Sequence, residues 1–186
     1  MNPSTKPKKR NAPQTRATIL AAAQRAFSAR SYSQVGIRDI AADADVSSPL
    51  LLRYYGSKAG LFEAALIDAV ASDTVFSHGK QGFGKHLANL LVHGESDIRP
   101  PLIIALSMGD PDAQGIARQV MEKHIIKPLA TWLGGPDAEV RAVEITTLAM
   151  GFVLYSQQLP LTAGKGINKK LALWFAASIQ AIVDQD

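Results

Sequence analysis

Apolar residues return at intervals of three and four along almost the whole chain, and no run alternates apolar with polar positions. The clearest case is Asp112–Leu133. There Ile116, Ala117, Val120, Met121, His124, Ile125, Leu129, Trp132 and Leu133 fall on one helical face. Pro128 lies inside that stretch and should kink it, because proline removes one backbone donor. The same spacing predicts a first helix opened by Thr15 or Thr18 and ended by Ser31–Ser33, with Ile19, Ala22, Ala23, Ala26 and Phe27 as its stripe. It predicts others over Gly36 to about Ala44, Ser48–Tyr54, Lys58 to about Asp73, His86–His93, Pro100–Met108, Asp137–Gln158 and Asn168–Asp184. Asp137 is a candidate cap, and the glycines of Ser77–Gly84 mark a loop. The expected fold is all-α, with about nine helices.

Two short helices meet at a tight turn in Gly36–Tyr55, GIRDIAADADVSSPLLLRYY. The turn is Asp45–Val46–Ser47. Ser47 or Ser48 can cap the second helix by accepting a bond from an orphan N–H. Pro49 falls in the first turn, where its missing donor costs nothing. Helices joined at an angle by a turn of about 3–4 residues form a helix-turn-helix, and the second helix of such a pair can enter a DNA major groove. An ordinary helical hairpin with solvated polar faces has the same spacing. Ser57 then reads as a further cap with Lys58 behind it, an arrangement suited to phosphate. Phe27, Ile37, Ile40, Val46, Leu51 and Tyr55 are the expected core of this front module.

Charge separates the front from the back. Residues 1–62 hold ten Lys/Arg against three Asp, a net of +7; residues 63–186 hold ten Lys/Arg against thirteen Asp/Glu, a net of −3. A basic module on a mildly acidic body suits a polyanion partner. The expected division is a basic disordered arm over 1–14, a helix-turn-helix domain over 15–57 and a helical body over 58–186. The arm is either a phosphate or minor-groove contact or a solubilising tail. The chain has no cysteine, so thiolate chemistry and disulfides are excluded. No apolar run approaches the roughly 18 residues of a membrane span. A cytoplasmic protein without membrane contact is expected, with no catalytic residues, no metal and no cofactor. His86, His93 and His124 are the only approach to a metal set, and they lack the carboxylates or thiolates that usually complete one.

The run Arg16-x-x-Ile19-Leu20-x-Ala22-Ala23-x-x-x-Phe27, then Tyr32, Ile37-x-Asp39-Ile40-Ala41, Val46-Ser47 and Tyr55-Gly56-Ser57-Lys58-x-x-Leu61-Phe62 resembles the DNA-binding domain of TetR-type (TetR/AcrR) transcriptional regulators. The likeness covers about residues 13–70 and fixes positions in register across four helices. GGPDAEVRA, further on, is similar to a loop and helix start common in actinobacterial members. The resemblance implies a homodimer held by the last two helices. It implies a palindromic double-stranded DNA operator and, usually, repression released by a small molecule in the body. It places Arg38, Ser47, Ser48, Pro49, Leu52, Arg53, Tyr54 and Lys58 where such proteins touch DNA. Four positions depart from the family pattern. Leu52 replaces a tyrosine that commonly contacts phosphate, and Tyr54 a usual histidine next to the final aromatic. Asp45 stands for the turn glycine and must take φ > 0 or bend the turn differently, and Val35 replaces a capping threonine.

Arg53 suits a guanine edge and a phosphate equally. The fourth helix is expected to act as a lever between body and reading head. Candidate linings for an effector site are Phe62, Leu66, Leu90, Ile104, Met108, Met121 and Trp132, with His93, His124 and Tyr155 as polar contacts. Each could equally be plain core. An apolar or aromatic effector fits such a lining best. Gly151, Leu154, Trp174, Phe175 and Ile179 are candidate dimer residues, or core of a single chain. The rival readings are a metal-dependent enzyme and an architectural DNA-binding protein with no ligand.

Overall fold

A computed structural model describes residues 12–70, 75, 79–93, 100–159 and 165–185. Ten α-helices are present among them: α1 Ala12–Ala29, α2 Ile37–Asp43, α3 Ser48–Tyr55, α4 Lys58–Val70, α5 Phe83–His93, α6 Pro100–Ser107, α7 Pro111–Met121, α8 Lys127–Leu133, α9 Ala138–Val153 and α10 Lys165–Val183. A π turn, Glu122–Ile126, joins α7 to α8 without a break, and these three pieces make a single rod. Nine rods result, and no strand occurs among the described residues.

Two cores hold the rods. The first joins α1–α4 to the inner faces of α6 and α7, through residues such as Phe27, Leu51, Phe62, Leu66, Ile103 and Ala117. Phe27 and Phe62 meet edge to face at 5.0 Å, and Tyr32 closes the cluster 5.2 Å from Phe62. The second joins α5, α8, α9 and α10, with Phe152 stacked on Phe175 at 4.4 Å. The amide of Gln24, buried in α1, donates to the Ala65 carbonyl and to Asp68 Oδ2, both at 2.9 Å. That bond pair fixes α1 to α4 with no buried polar group left over at Gln24.

Several boundaries differ from the sequence expectation. The first helix begins at Ala12 rather than at Thr15 or Thr18, because Pro13 is tolerated in a first turn. Thr15 is buried, and Thr18 bonds back to the Gln14 carbonyl inside the helix. Most of the expected arm, residues 1–11, lies outside the described residues. So do 71–74, where the fourth helix was expected to continue. α5 begins at Phe83, three residues before the expected start, and takes in Gly84. Asp137 does not cap α9 with its side chain; it stands at φ +55° after the Gly134–Pro136 turn. At Pro128, where a kink is expected, the helix runs on and widens. The Lys127 N–H donates to the Glu122 carbonyl, five residues back, so the missing proline donor is absorbed by a π turn.

The guanidinium of Arg141 is buried and binds the carbonyls of Gly134, Pro136 and Gln185. It thereby ties the C-terminal ends of α8 and α10 to α9, where the helix dipoles favour a cation.

Candidate nucleic-acid interface

The turn between α2 and α3 is built from local chemistry. Asp45 takes φ +51°, so the turn keeps the backbone of a glycine there rather than bending differently. Asp and Asn tolerate that region better than other non-glycine residues. The Val46 N–H then reaches back to the Ala41 carbonyl at 2.9 Å. Ser47 opens α3, its Oγ accepting from the Leu50 N–H at 3.4 Å, and Pro49 follows in the first turn. Leu51 is fully buried and pins α3 to the core, while Val46, Tyr54 and Tyr55 pack against it partly buried. Full burial of such a leucine contributes about 1.5–3 kcal/mol.

The C-terminal end of α3 is tied down as well. The Tyr55 hydroxyl donates to the Arg16 carbonyl at 3.3 Å, and the Arg16 guanidinium lies 5.3 Å over the Tyr54 ring. Gly56, at φ +73°, closes the helix by donating to the Leu52 carbonyl at 2.7 Å. Ser57 caps α4, accepting from the Gly60 N–H at 3.0 Å. A β-carbon on Gly60 would stand 2.3 Å from the Tyr55 carbonyl oxygen, so only glycine lets α4 start this close to the end of α3.

Arg38, Ser47, Pro49, Leu52 and Arg53 are exposed, and Ser48, Tyr54 and Lys58 are half-buried. Asp39 and Asp43 are held by Arg30 (3.5 Å) and Arg25 (2.7 Å). Among the described residues neither Arg38 nor Arg53 has a carboxylate partner, so both cations remain available to an anion. Lys58 is placed differently from a free phosphate hook. Its ammonium lies 4.3 Å over the Tyr32 ring, and burial pushes its pKa below the ordinary lysine value while Asp110 pulls it the other way.

The sequence profile of bacterial regulatory proteins of the tetR family matches residues 19–65, and that of the tetracyclin repressor-like C-terminal domain matches residues 81–183. The chain belongs to the TetR family. Solved TetR-like structures share its fold at low identity. A putative TetR-family transcriptional regulator from Rhodococcus sp. superposes with a TM-score of 0.68 at 18% identity, covering 91% of this chain and 98% of its own. A putative transcriptional regulator from Pseudomonas aeruginosa PAO1 gives 0.65 at 19%, covering 93% of each chain. GusR of Salmonella enterica gives 0.65 at 19%, covering 95% and 97%. No protein of curated function matches the chain in sequence. As a TetR-family member the chain is a DNA-binding transcriptional regulator. No described helix is long and apolar enough to cross a membrane.

Behind the reading head of this TetR-family chain lies a cavity of about 470 Å³. Its walls come from the last turn of α4, from α5, α6 and α9, and from the end of α7, the π turn and α8. His124 and Thr146 are its only polar side chains among the described lining, and the Thr146 hydroxyl is spent on the Ala142 carbonyl. Of the expected lining, Ile104, Met121 and His124 are on the wall. Phe62 and Leu66 are not, because they are sealed in the first core. Leu90 is also off the wall, and Trp132 is turned onto Phe83 at 4.6 Å. Met108 and Tyr155 are 52% and 54% exposed and face solvent instead. The His93 side chain lies outside the described residues. Ile145, Thr146, Ala149 and Met150, the cavity face of α9, are on the wall without being among the expected lining.

α9 and α10 carry a second feature. Val140 and Val143 on α9, Tyr155 on the π turn Leu154–Gln158 that extends it, Leu159 just beyond that turn, and Leu173 and Trp174 on α10 are each about half exposed. Gly151 and Leu154 are half-buried on the same stretch, with open space before the Gly151 Cα. Phe175 and Ile179, two of the expected dimer residues, are instead fully buried in the second core.

Proposed function

We propose that the chain is a homodimeric repressor whose two α3 helices read a palindromic operator and whose grip is released by a small apolar or aromatic effector in the body cavity. Arg38, Ser47, Ser48, Pro49, Leu52, Arg53, Tyr54 and Lys58 form its DNA-facing surface. Domain limits near residues 14 and 57 follow from this reading.

One observation carries the ligand response. Val70 and Ile104 belong both to the core that holds the reading head and to the wall of the cavity. A molecule entering the cavity therefore pushes on side chains that set where α4, and the head fixed to it through Gln24, must lie. The effector shifts the balance only by its differential affinity for the two head spacings. With no Lys or Arg on the described wall, an uncharged molecule is favoured over an anion.

The test is release of a fluorescent operator by a panel of uncharged apolar compounds. Ala149→Trp fills the cavity from α9. It is expected to raise the concentration needed for release by roughly tenfold or more, about 1.4 kcal/mol of lost affinity. Release at wild-type concentrations would remove the cavity from the account.

A further inference from the structure

The reading helix carries an apolar side chain that the fold does not use. Leu51 is fully buried, and Tyr54 and Tyr55 lean on the first core. Leu52 is 39% exposed and is not among the side chains packed against that core. Pro49 is exposed one turn earlier, and positions three apart share a helical face. This apolar tip stands beside exposed Arg53, on a module of net charge +7. A single leucine among cations is no apolar patch for a protein partner. The charge points to a nucleic acid.

A leucine neither donates nor accepts a hydrogen bond. The edges of the base pairs in the major groove offer donors, acceptors and one apolar group, the C5 methyl of thymine. We propose that Leu52, backed by Pro49, reads a thymine methyl in each half-site. The inference rests on α3 entering the major groove, as in the proposed function. A cytosine at that place presents a C5 hydrogen where thymine has its methyl, so the leucine would lose the apolar contact there. Arg53 and the serines supply the polar part of the readout; Leu52 supplies a part they cannot.

The experiment starts from an operator enriched out of a random duplex pool by the full-length chain. Each thymine is then replaced in turn by deoxyuridine, which removes only the methyl group, and affinity is read by fluorescence polarisation. Wild-type protein is expected to lose about fourfold per half-site at one thymine position, the worth of one buried methyl. Leu52→Ala is expected to bind the thymine operator that much more weakly and to be indifferent to deoxyuridine at the same position. A flat deoxyuridine scan with wild-type protein overturns the proposal and leaves the DNA-binding reading intact. So does a methyl effect that persists in Leu52→Ala. If no sequence is enriched, the proposal falls together with the reading beneath it.

Discussion

Val143→Glu combined with Trp174→Glu is expected to leave the chain monomeric at micromolar concentration and to weaken operator binding by roughly 10²- to 10⁴-fold. The two side chains are 48% and 54% exposed, so the substitutions cost the single chain little. Their neighbours Val140, Leu173 and Leu159 are more exposed still. An apolar face of this kind on two adjacent helices is what a two-fold contact requires, because one patch must complement its own copy. Near the axis each glutamate would face its symmetry mate or another new carboxylate. A single reading head would then hold only half an operator, and the effective concentration of the second head would be lost. Sedimentation velocity and an operator titration on the same sample check both parts. A variant that stays dimeric would move the interface elsewhere. A monomer with wild-type affinity would show that one head is enough.

Gly84→Ala is expected to destabilise the chain by about 3 kcal/mol, the upper end of ordinary overpacking. Its β-carbon would stand 2.1 Å from the Ala176 carbonyl oxygen and 2.9 Å from the Gln180 N. Both obstacles are backbone, so no side chain can swing aside. α5 would have to withdraw from α10. The withdrawal would also break the bond from the Gly84 N–H to Gln180 Oε1 at 3.1 Å and loosen the Gln180 amide that holds the Lys80 carbonyl. For a chain of this length the loss corresponds to roughly 6–12 °C in Tm. Gly115→Ala is the matched control. Gly115 lies within α7 with nothing near its Cα, and alanine there should raise stability by about 0.5–1 kcal/mol. Thermal melts of the two variants should therefore move in opposite directions. A Gly84→Ala protein as stable as wild type would contradict the close α5–α10 approach.

The glycines show where the sequence was misleading. Gly84 ends the glycine-rich stretch Ser77–Gly84 and so looks like loop, yet it lies inside α5 because a neighbouring backbone leaves no room for a side chain. Composition cannot separate a glycine needed for a turn from one needed for a close crossing. The apolar stripes fared better. Ile19, Ala22, Ala23 and Phe27 of α1 are all buried, as their spacing requires. Of the two conformations open to Asp45, the turn takes the one with positive φ.

Periodicity says that a side chain is buried, but not against what. Phe62 and Leu66 share a stripe with Val70, yet α4 meets the head core along most of its length and touches the cavity only in its last turn. The same limit applies to α10. Trp174 and Phe175 are adjacent in sequence and both aromatic, and one is 54% exposed while the other is fully buried. A helix with apolar residues on two faces does not reveal which of them meets its own chain. α9 is such a helix, and its cavity face, from Ile145 to Met150, was hidden behind its outward one.

Whether α3 reads DNA is tested by selecting duplexes from a random pool with the full-length chain, then titrating the enriched sequence and a scrambled copy at two salt concentrations. The expected result is an enriched palindrome bound far more tightly than its scrambled copy, with affinity falling steeply as salt rises. A pool that yields no enriched sequence, or equal binding to both duplexes, would contradict the claim that α3 reads DNA.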